Sequence, residues 1–518
     1  MSNYTFKKYN NKLGYDEYFR LKQEEKAVWY EGKSNELLNF YGSKISVAPA
    51  EMFRNTKDYF WRYVMFENQM KNTHSGLPKT IVDIVVAVTG KPKIEAKAIN
   101  AEDESLKTNA ILSNALVQKM LEENNFFYDF KNNQLPYTLV IGDGVYLINY
   151  NMAKSDLPIW EYIDGRNVEY EFDGNRIKSI ITRRYYEREN KTYVLFDTRS
   201  ILRVKTDDGY KTVSKIKYEL YQTSSKDSTA ILDTKIKLDT LEETAGLIDL
   251  EIENFDYILA VPVFNGYNKR AKRGESIFAT KIDLFDDLDQ SLSQASTVTR
   301  MSSPIDYVPE GLMEYDSEGK PKTINRFDRR FITYPQDRNA QTQDVNRIIT
   351  SQPDLHFFEQ YDNNQLEILM KCIMGIISPS TLGLYLARND NATAQREKEK
   401  VTLVTRDTIV DMQTPIIKRL LKISLELISK MQTSVDIDTT AIDITVNFPE
   451  YANPSFDSKL VYLSDALVKD AISPEQYIEE LWEDALSNDE KEREIAWIKE
   501  RKSTGIVDPN MIDTIMLE

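Results

Sequence analysis

The side chains best suited to metal binding and nucleophilic catalysis are scarce in this chain. It contains two histidines, His74 and His356, and one cysteine, Cys372. Because the histidines are far apart, they form neither an H-E-x-x-H zinc motif nor part of a cysteine–histidine zinc cluster. We therefore expect both histidines to be structural. A single cysteine excludes an internal disulfide, which is typical of a protein made in a reducing cytoplasm.

Motifs for nucleotide binding and acyl transfer are also missing from the sequence. The nearest match to a phosphate-binding loop is Thr89-Gly90-Lys91-Pro92. It lacks the upstream glycine of that motif and has proline where a hydroxyl residue is needed. Neither a G-x-G-x-x-G fingerprint nor a G-x-S-x-G elbow is present. The sequence predicts that the protein is not an enzyme and holds no cofactor or metal.

Three aspartates that precede glycines offer an alternative interpretation as a hydrolase. Asp143, Asp164 and Asp173 are each followed by glycine in the sequence. Scattered carboxylates of this kind can serve as general acids and bases. Aspartate before glycine is also the ordinary composition of a turn, for backbone reasons alone. We favour turns and keep the hydrolase as the less favoured alternative.

A second acidic group lies on one predicted helix. Asp283, Asp286, Asp287 and Asp289 fall opposite the apolar positions of a segment that spans residues 276–301. Such a cluster can bind a hard cation, but neither a glycine-turned loop nor a set of backbone carbonyls accompanies it. We expect a solvated helix face.

Composition and charge bound the class of protein. The chain has 518 residues, 41% of them hydrophobic, and a net charge of −16. It is long enough for several domains, each with its own core. No stretch approaches the roughly 18–20 apolar residues of a membrane span, so we expect a soluble protein with no membrane partner. The acidic balance argues against a protein that grips nucleic acid by neutralising phosphates.

Hydrophobic periodicity predicts the elements of the first half. The run from Lys79 to Val88 indicates a buried helix that stops at Gly90 and Pro92. From residue 135 to about 264 the period is two, which predicts an antiparallel sheet. Asp-Gly pairs at Asp164, Asp173 and Asp208 predict hairpin turns within it.

A basic run precedes a long amphipathic helix in the middle of the chain. Its cations are Lys269, Arg270, Lys272 and Arg273. Because the positive end of a helix dipole disfavours cations, we expect this run to meet an external anion or a neighbouring subunit, with a solvated basic turn as the alternative. The helix has apolar residues at Phe278, Phe285 and Leu292, which predict a need for neighbours to cover them.

The second half alternates helices with short strands. Residues 304–350 predict a few strands with a hairpin at 317–320, and helical character returns from 353 to 377. After a loop over 378–391, a helix from Thr393 to Met431 should kink at Pro415. A strand pair within 434–448 and two C-terminal helices follow, with capping boxes that begin at Ser473 and Ser487.

Three motifs follow one another along the chain. The first is HSGLPKTIVDIVVAVTGKPKIE, residues 74–95. The second runs from Gly266-Tyr267-Asn268 through Gly274-Glu275 into a helix with the pattern D-L-x-D-x-L-x-Q-x-L. The third spans residues 377–400, where an I-x-P-S loop precedes N-x-T-A-Q-R-E-K-E-K. In this order the motifs resemble the portal family of long-tailed phages that infect Gram-positive bacteria, although Asn391-Ala392-Thr393-Ala394 departs from the S-S-G-V-A form more usual in that family.

The resemblance implies an α+β, portal-type fold with wing, stem helices, clip, tunnel loop with a long kinked helix, and helical crown. Its segments would be the wing over 1–270 and 393–454, stem helices over 271–303 and 353–377, the clip over 304–352, the tunnel loop over 378–392 and the crown over 455–518.

The function implied by the resemblance is a non-enzymatic conduit. The chain would form a ring, a dodecamer in virions, at the portal vertex of the capsid after assembly in the host cytoplasm. Its partners would be double-stranded DNA in the channel, the terminase large subunit, a head–tail adaptor, and the major capsid and scaffolding proteins. Another phage head–tail structural protein is a further alternative.

The resemblance also assigns roles to individual residues. The tunnel loop would place six residues along the DNA channel: Leu382, Leu384, Tyr385, Arg388, Asn389 and Asn391. The clip would dock its partners through Arg326, Arg329 and Arg330. The basic run Lys269, Arg270, Lys272 and Arg273 would face the channel or a neighbouring subunit.

Overall fold

The computed structural model describes residues 17–44, 59–63, 72–99, 104–151, 155–188, 191–206, 209–223, 232–269, 271–301, 305–309, 317, 330–334, 349–351, 355–384, 399–432, 437–449, 456–482 and 488–503. The chain divides into two units, Met1–Pro449 and Glu450–Glu518. Both helices and sheets build the first unit, so the predicted α+β class is confirmed at that level. The described helices of the second unit are α11 (Phe456–Val468), α12 (Pro474–Trp482) and α13 (Asn488–Ser503).

Short and medium helices form the start of the first unit. They are α1 (Glu17–Glu31), α2 (Ser34–Asn39), α3 (Phe60–Tyr63), α4 (Leu77–Thr89), α5 (Glu104–Glu123), α6 (Phe126–Asp129) and α7 (Leu135–Ile141). Helix α4 is the predicted buried helix, and it buries Ile81, Val82, Val85 and Val86 at helical spacing. It ends at Gly90, whose φ of 75° is a conformation that a side chain disfavours.

Two antiparallel sheets follow these helices, as the period of two predicts. The predicted start of the sheet at residue 135 is wrong, because residues 135–141 form helix α7 and the first strand of these sheets begins at Asp143. The first has β2 (Asp143–Asn149) between β3 (Ile159–Asp164) and β10 (Ala260–Phe264). The second has the order β4 (Val168–Asp173), β5 (Arg176–Arg188), β6 (Lys191–Thr206), β7 (Gly209–Thr223) and β8 (Leu232–Ile236), with β9 (Leu250–Glu253) paired to β7 beside β8.

Two of the three predicted hairpins are present. Asp173 pairs with Arg176, so Gly174 and Asn175 form a two-residue turn. Thr206 pairs with Gly209, and residues 207–208 between them lie outside the described residues. The prediction at Asp164 is wrong. Asp164 instead caps the short 3-10 turn Gly165–Asn167, which leads from β3 in one sheet to β4 in the other. An Asp-Gly pair favours a turn but does not choose the strands on either side.

A third, two-stranded sheet joins distant parts of the sequence. Strand β1 (Lys93–Ala98) pairs antiparallel with β14 (Ile442–Asn447). The partner strand predicted over 434–440 is wrong in its described part, since Thr439–Ala441 form a 3-10 turn, and residues 434–436 lie outside the described residues. Alternation identifies β14 as a strand without identifying its neighbour. Side chains of α5 bond the other edge of β1: Asn114 accepts from the Ala96 N–H at 3.0 Å, and Gln118 donates to the Ile94 carbonyl at 2.8 Å.

Two helices in the middle of the chain pack against each other, and a small sheet lies between them in the sequence. Helices α8 (Ile282–Met301) and α9 (Leu355–Ile373) are in contact. The Lys281 ammonium just before α8 donates to the Lys371 carbonyl near the end of α9 at 2.8 Å, so the two helices are antiparallel. The strands between them are β11 (Ile305–Pro309), β12 (Arg330–Tyr334) and β13 (Ile349–Ser351).

The sheet between the paired helices differs from the predicted hairpin. Strand β11 lies in its centre, parallel to β12 and antiparallel to β13. Parallel neighbours need a crossover connection, so no hairpin at 317–320 joins these described strands. Within the described ranges, the strands of this sheet pair with each other and with no further strand.

Helix α10 (Lys400–Met431) closes the first unit together with β14. Pro415 lies inside it, and residues 393–398, where we expect the helix to begin, are outside the described residues. In the second unit the Gln476 N–H donates to the Ser473 hydroxyl at 3.1 Å, which confirms the cap predicted for α12. Among the described residues, no helix combines the length and apolarity needed to cross a membrane.

Candidate functional site

The predicted DNA-channel loop is described at its first residues only. Leu382 ends the 3-10 turn Pro379–Leu382 and packs partly buried against the main core. Leu384 follows Gly383 and is 38% exposed. Tyr385, Arg388, Asn389 and Asn391 lie outside the described residues. Their position in the channel therefore stays a prediction.

Threonine side chains join the two flanks of that loop. Before the loop, the Ser378 N–H donates to the buried Thr402 hydroxyl at 2.8 Å, and the Thr381 hydroxyl lies 2.8 Å from the same atom. After it, on α10, the Thr405 hydroxyl donates to the Ile376 carbonyl at 2.7 Å. The segment before the loop, residues 376–381, is thus hydrogen-bonded to the first turns of α10, which follow the loop.

One buried arginine fixes α10 to the rest of the unit. The Arg406 guanidinium donates to the Val88 carbonyl at 3.2 Å and to the carbonyls of Phe448 and Pro449. It therefore ties the helix after the loop to α4 and to the end of β14. Arginine suits this role because its planar group donates in several directions at once.

The basic run lies in a loop before α8 rather than at a helix terminus. Helix α8 begins at Ile282, so the helix-dipole argument does not apply to Lys269–Arg273. The Lys272 ammonium donates to the Gly174 carbonyl at 3.1 Å and lies 4.9 Å from the centre of the Phe172 ring. Lys269 is exposed, and Arg270 lies outside the described residues.

Arg273 lies at the centre of a densely hydrogen-bonded polar site. Its guanidinium bonds both carboxylate oxygens of Asp143, at 2.5 and 3.1 Å, and donates to the carbonyls of Val168 and Gly165, each at 2.7 Å. Its centre lies 5.0 Å from the Tyr170 ring. Lys272 and Arg273 thus have partners within the chain, which differs from the expected contact with an external anion or subunit.

The carboxylate of Asp143 is fully buried and has further donors. The Gln23 amide donates to it at 3.0 Å and the Gly274 N–H at 3.4 Å. A Cβ at Gly165 would lie 1.7 Å from its Oδ1 atom, so only glycine fits there. The sequence indicates a turn at Asp143 and does not predict this site. Its signal was the set of glycines that follow Asp143, Asp164 and Arg273.

The three aspartates of the hydrolase alternative have different surroundings. Asp143 is buried, and the Arg273 guanidinium bonds both of its carboxylate oxygens. Asp164 accepts from the Arg166 N–H at 2.9 Å and from its guanidinium at 3.0 and 3.1 Å. Asp173 is exposed at the end of β4. A carboxylate whose oxygens are already bonded by a guanidinium is poorly placed to take a proton from a substrate.

The acidic side of α8 is only half solvated. Asp283 and Asp287 are exposed as predicted, but Asp286 and Asp289 are buried. Asp286 accepts from the backbone N–H groups of Phe60 and Trp61 at 2.7 and 3.4 Å. Burial raises the pKa of Asp286 to about 7, against the lowering effect of these two donors. The prediction of a solvated face is therefore wrong at both buried positions.

Asp289 anchors the segment around His74. It accepts from the Trp61 indole at 3.0 Å and the Ser75 N–H at 2.9 Å, and it lies 2.6 Å from Nδ1 of His74. Both side chains of the His74–Asp289 pair are almost fully buried. Helix α3 and the segment before α4 are thus bonded to α8, the first of the paired helices, through Asp286 and Asp289.

The remaining candidate residues are the three arginines of the predicted clip and the single cysteine. Arg326 and Arg329 lie outside the described residues, and Arg330 begins β12 with a side chain that is not described. Burial raises the pKa of the Cys372 thiol to about 12, so the thiol stays protonated near neutral pH. Across the described ranges, no group of three or more His, Cys, Asp or Glu side chains is placed to hold a metal ion.

Neither a scan against models of protein families nor a search of curated proteins finds a match for this chain.

Proposed function

We propose that the chain is a portal protein of a tailed bacteriophage, which forms a ring at one vertex of the capsid and conducts DNA in and out. The observation that carries the proposal is the arrangement of α8, the three-stranded insert and α9. The antiparallel helices α8 and α9 are connected through the sheet of β11, β12 and β13. They are followed by a loop whose two ends are hydrogen-bonded to each other, and then by the long helix α10.

Each of these parts has a role in the proposal. The helix pair is the stem that surrounds the channel, and the insert is the clip that docks the terminase large subunit and then the head–tail adaptor. The segment 378–392 is the tunnel loop, and the bonds to Thr402 and Thr405 fix its base. The rest of the first unit is the wing, and the helices of the second unit are the crown.

The charge of the chain is compatible with a conduit. A channel for moving DNA must not hold it, and an acidic wall repels phosphates where a basic wall would trap them. The net charge of −16 fits this requirement. The use of Lys272 and Arg273 in bonds within the chain also removes two of the basic residues that would otherwise attract the duplex.

The prediction that Phe278 and Phe285 need a neighbouring subunit to cover them is wrong. Phe278 and Phe285 are fully buried within a single chain, so they need no neighbouring subunit to cover them. Leu292 is only partly buried, and Leu366 and Met374 of the region around α9 are 50% and 66% exposed. Exposed apolar side chains near the helix pair favour contacts between copies.

The oligomeric state of the purified full-length protein tests the proposal. We expect negative-stain images to show closed rings with a central opening, and native mass spectrometry to give one ring size near twelve copies. Strictly monomeric protein at high concentration, with no rings in particles, would overturn it. Filaments or twofold dimers would favour another head–tail component.

A further inference from the structure

The β6–β7 hairpin has an edge with no strand beside it. Pairing of β5 with β6 reaches only as far as Ser179 and Ser200, whereas β6 continues to Thr206 along β7. In the described part of this sheet, residues 201–205 of β6 therefore have a strand neighbour on one side only. We call residues 201–205 the open edge. Backbone N–H and C=O groups along such an edge are available to a further strand.

The side chains of the open edge are unusual for a strand that has a neighbour on one side only. Leu202 and Val204 lie on one face and are 40% and 47% exposed. Arg203 and Lys205 lie on the other face, where Lys205 is directly opposite Tyr210, which is 75% exposed. Charged residues alone would protect an edge from pairing, but exposed aliphatic residues between them favour a docked partner.

The charges of Arg203 and Lys205, the two cations of the open edge, are not balanced within the described part of the chain. Neither Arg203 nor Lys205 forms an ion pair with any described residue, although the chain as a whole is acidic. An acidic partner would supply the missing charge. Alternate positions of that partner would need to be apolar to cover Leu202 and Val204.

The opposite edge of the same hairpin shows what kind of strand fits. There β9, with the sequence LEIE, pairs with β7 in the register Val213 to Glu253 and Lys215 to Glu251. Glu253 forms an ion pair with Lys211, and Glu251 with Lys215. Ile252 points the other way and is buried. An acidic and apolar alternation thus satisfies the lysines of β7.

We propose that the open edge binds, by strand addition, an extended segment of a partner protein in which acidic and apolar residues alternate. Backbone hydrogen bonds would supply affinity, and the carboxylates facing Arg203 and Lys205 would supply selectivity. The proposal does not depend on ring formation, and it goes beyond the proposed function.

A peptide with the chain's own β9 sequence is a suitable probe. We expect a fluorescein-labelled peptide DLEIENF, residues 249–255, to bind the full-length protein in an anisotropy titration. Added salt should weaken the binding, because the contacting charges are exposed. Hydrogen exchange should show new amide protection within residues 201–205. A peptide with lysine in place of each glutamate should bind at least tenfold more weakly.

Matched variants separate this edge from general charge effects. The double reversal Arg203→Glu with Lys205→Glu should weaken peptide binding at least tenfold, and Arg203→Ala with Lys205→Ala should weaken it less. Lys119→Glu with Lys131→Glu changes the net charge equally at exposed sites on other elements and should leave binding unchanged. Unchanged circular dichroism and melting temperature will show that the variants are folded.

Four results would each overturn the proposal. They are no saturable binding at millimolar peptide, equal loss in the edge and control variants, amide protection away from residues 201–205, and a change of oligomeric state in the edge reversal without any effect on the peptide. The last result would make the open edge a contact between copies of this chain.

Discussion

Arg273 and Asp143 form a buried ion pair in which two guanidinium nitrogens bond the two carboxylate oxygens, at 2.5 and 3.1 Å. The residues are 130 positions apart in sequence, and their contact ties the loop before α8 to the start of β2. A buried pair contributes little net stability beyond that of an apolar pair, but loss of one partner leaves an uncompensated charge. The pair therefore makes the position of α8 sensitive to single substitutions.

Removal of the cation should be costly. We expect Arg273→Ala to lower the free energy of unfolding by about 3–5 kcal/mol, because Asp143 stays buried without its partner. Urea titration followed by tryptophan fluorescence measures the change. The exposed Lys269 of the same loop gives the control, since Lys269→Ala should change stability by about 0.5 kcal/mol or less. Equal losses in the two variants would contradict the role of the ion pair.

A methyl group beside Asp143 should also destabilise the fold. The Cβ of Gly165→Ala would lie 1.7 Å from the Asp143 Oδ1 atom, so the carboxylate or the turn must move. We expect a loss of about 1–3 kcal/mol or more in the same titration. Gly246→Ala is the matched control, because nothing lies within 4 Å of its added Cβ. Wild-type stability in Gly165→Ala would show that the turn and the Asp143 carboxylate can move apart at no cost in stability.

The stability of the contact between α8 and the Phe60–Trp61 segment should depend on pH. The pKa of Asp286 is about 7 in the folded chain, above its ordinary value of 3.8. The folded state therefore binds the proton more tightly, and the resulting stability is fully present below about pH 4 and is lost as the pH rises to 7.

Replacement of Asp286 by asparagine should remove that dependence. Between pH 5 and 7 the stability of the wild type should fall relative to Asp286→Asn by at most about 1.4 kcal/mol per pH unit. The amide oxygen can still accept from the Phe60 N–H, which makes the shorter bond to Asp286, whereas the amide NH2 group replaces the oxygen that accepts from Trp61 at 3.4 Å. Asp173→Asn, at an exposed position, should keep the wild-type profile. Parallel profiles for the wild type and Asp286→Asn would contradict the shift in pKa.

The proposed tunnel loop can be tested through its polar residues. Each exposed contact with a phosphate contributes about 1 kcal/mol or less, so a ring of Arg388 side chains would guide DNA without arresting it. We expect Arg388→Ala with Asn389→Ala to leave ring assembly intact and to lower the amount of nuclease-protected DNA per particle. Arg176→Ala, at an exposed position of β5, is the control. Normal packaging by the double variant would refute this assignment of the loop.

Local signals predicted several elements correctly. The apolar spacing before Gly90 identified α4, and Ser473 with Gln476 identified the cap of α12. Each of these signals lies within one or two turns of chain, where side-chain spacing and hydrogen bonding act directly. The period of two likewise identified the strands between residues 143 and 264.

Contacts between distant segments were not predicted. The charge of Asp286 suggested solvent, but its partners are backbone N–H groups of Phe60 and Trp61, more than 200 residues upstream. Asp143 showed only a turn-like composition, because its partner Arg273 lies in another part of the sequence. Single-chain patterns show which residues prefer burial or turns, but they do not show which backbone groups will meet a buried carboxylate.

The pairing of β1 with β14 sets an order of events during synthesis. The Glu95 carbonyl and the Thr445 hydroxyl that bonds it are 350 positions apart. At about 5–20 residues per second, the ribosome needs roughly 20–70 s to make the second strand after the first. During that interval Asn114 and Gln118 of the adjacent helix can already shield one edge of β1. The other edge of β1 has no partner until β14, near the end of the first unit, has been synthesised. This two-stranded sheet should therefore be among the last parts of the fold to form.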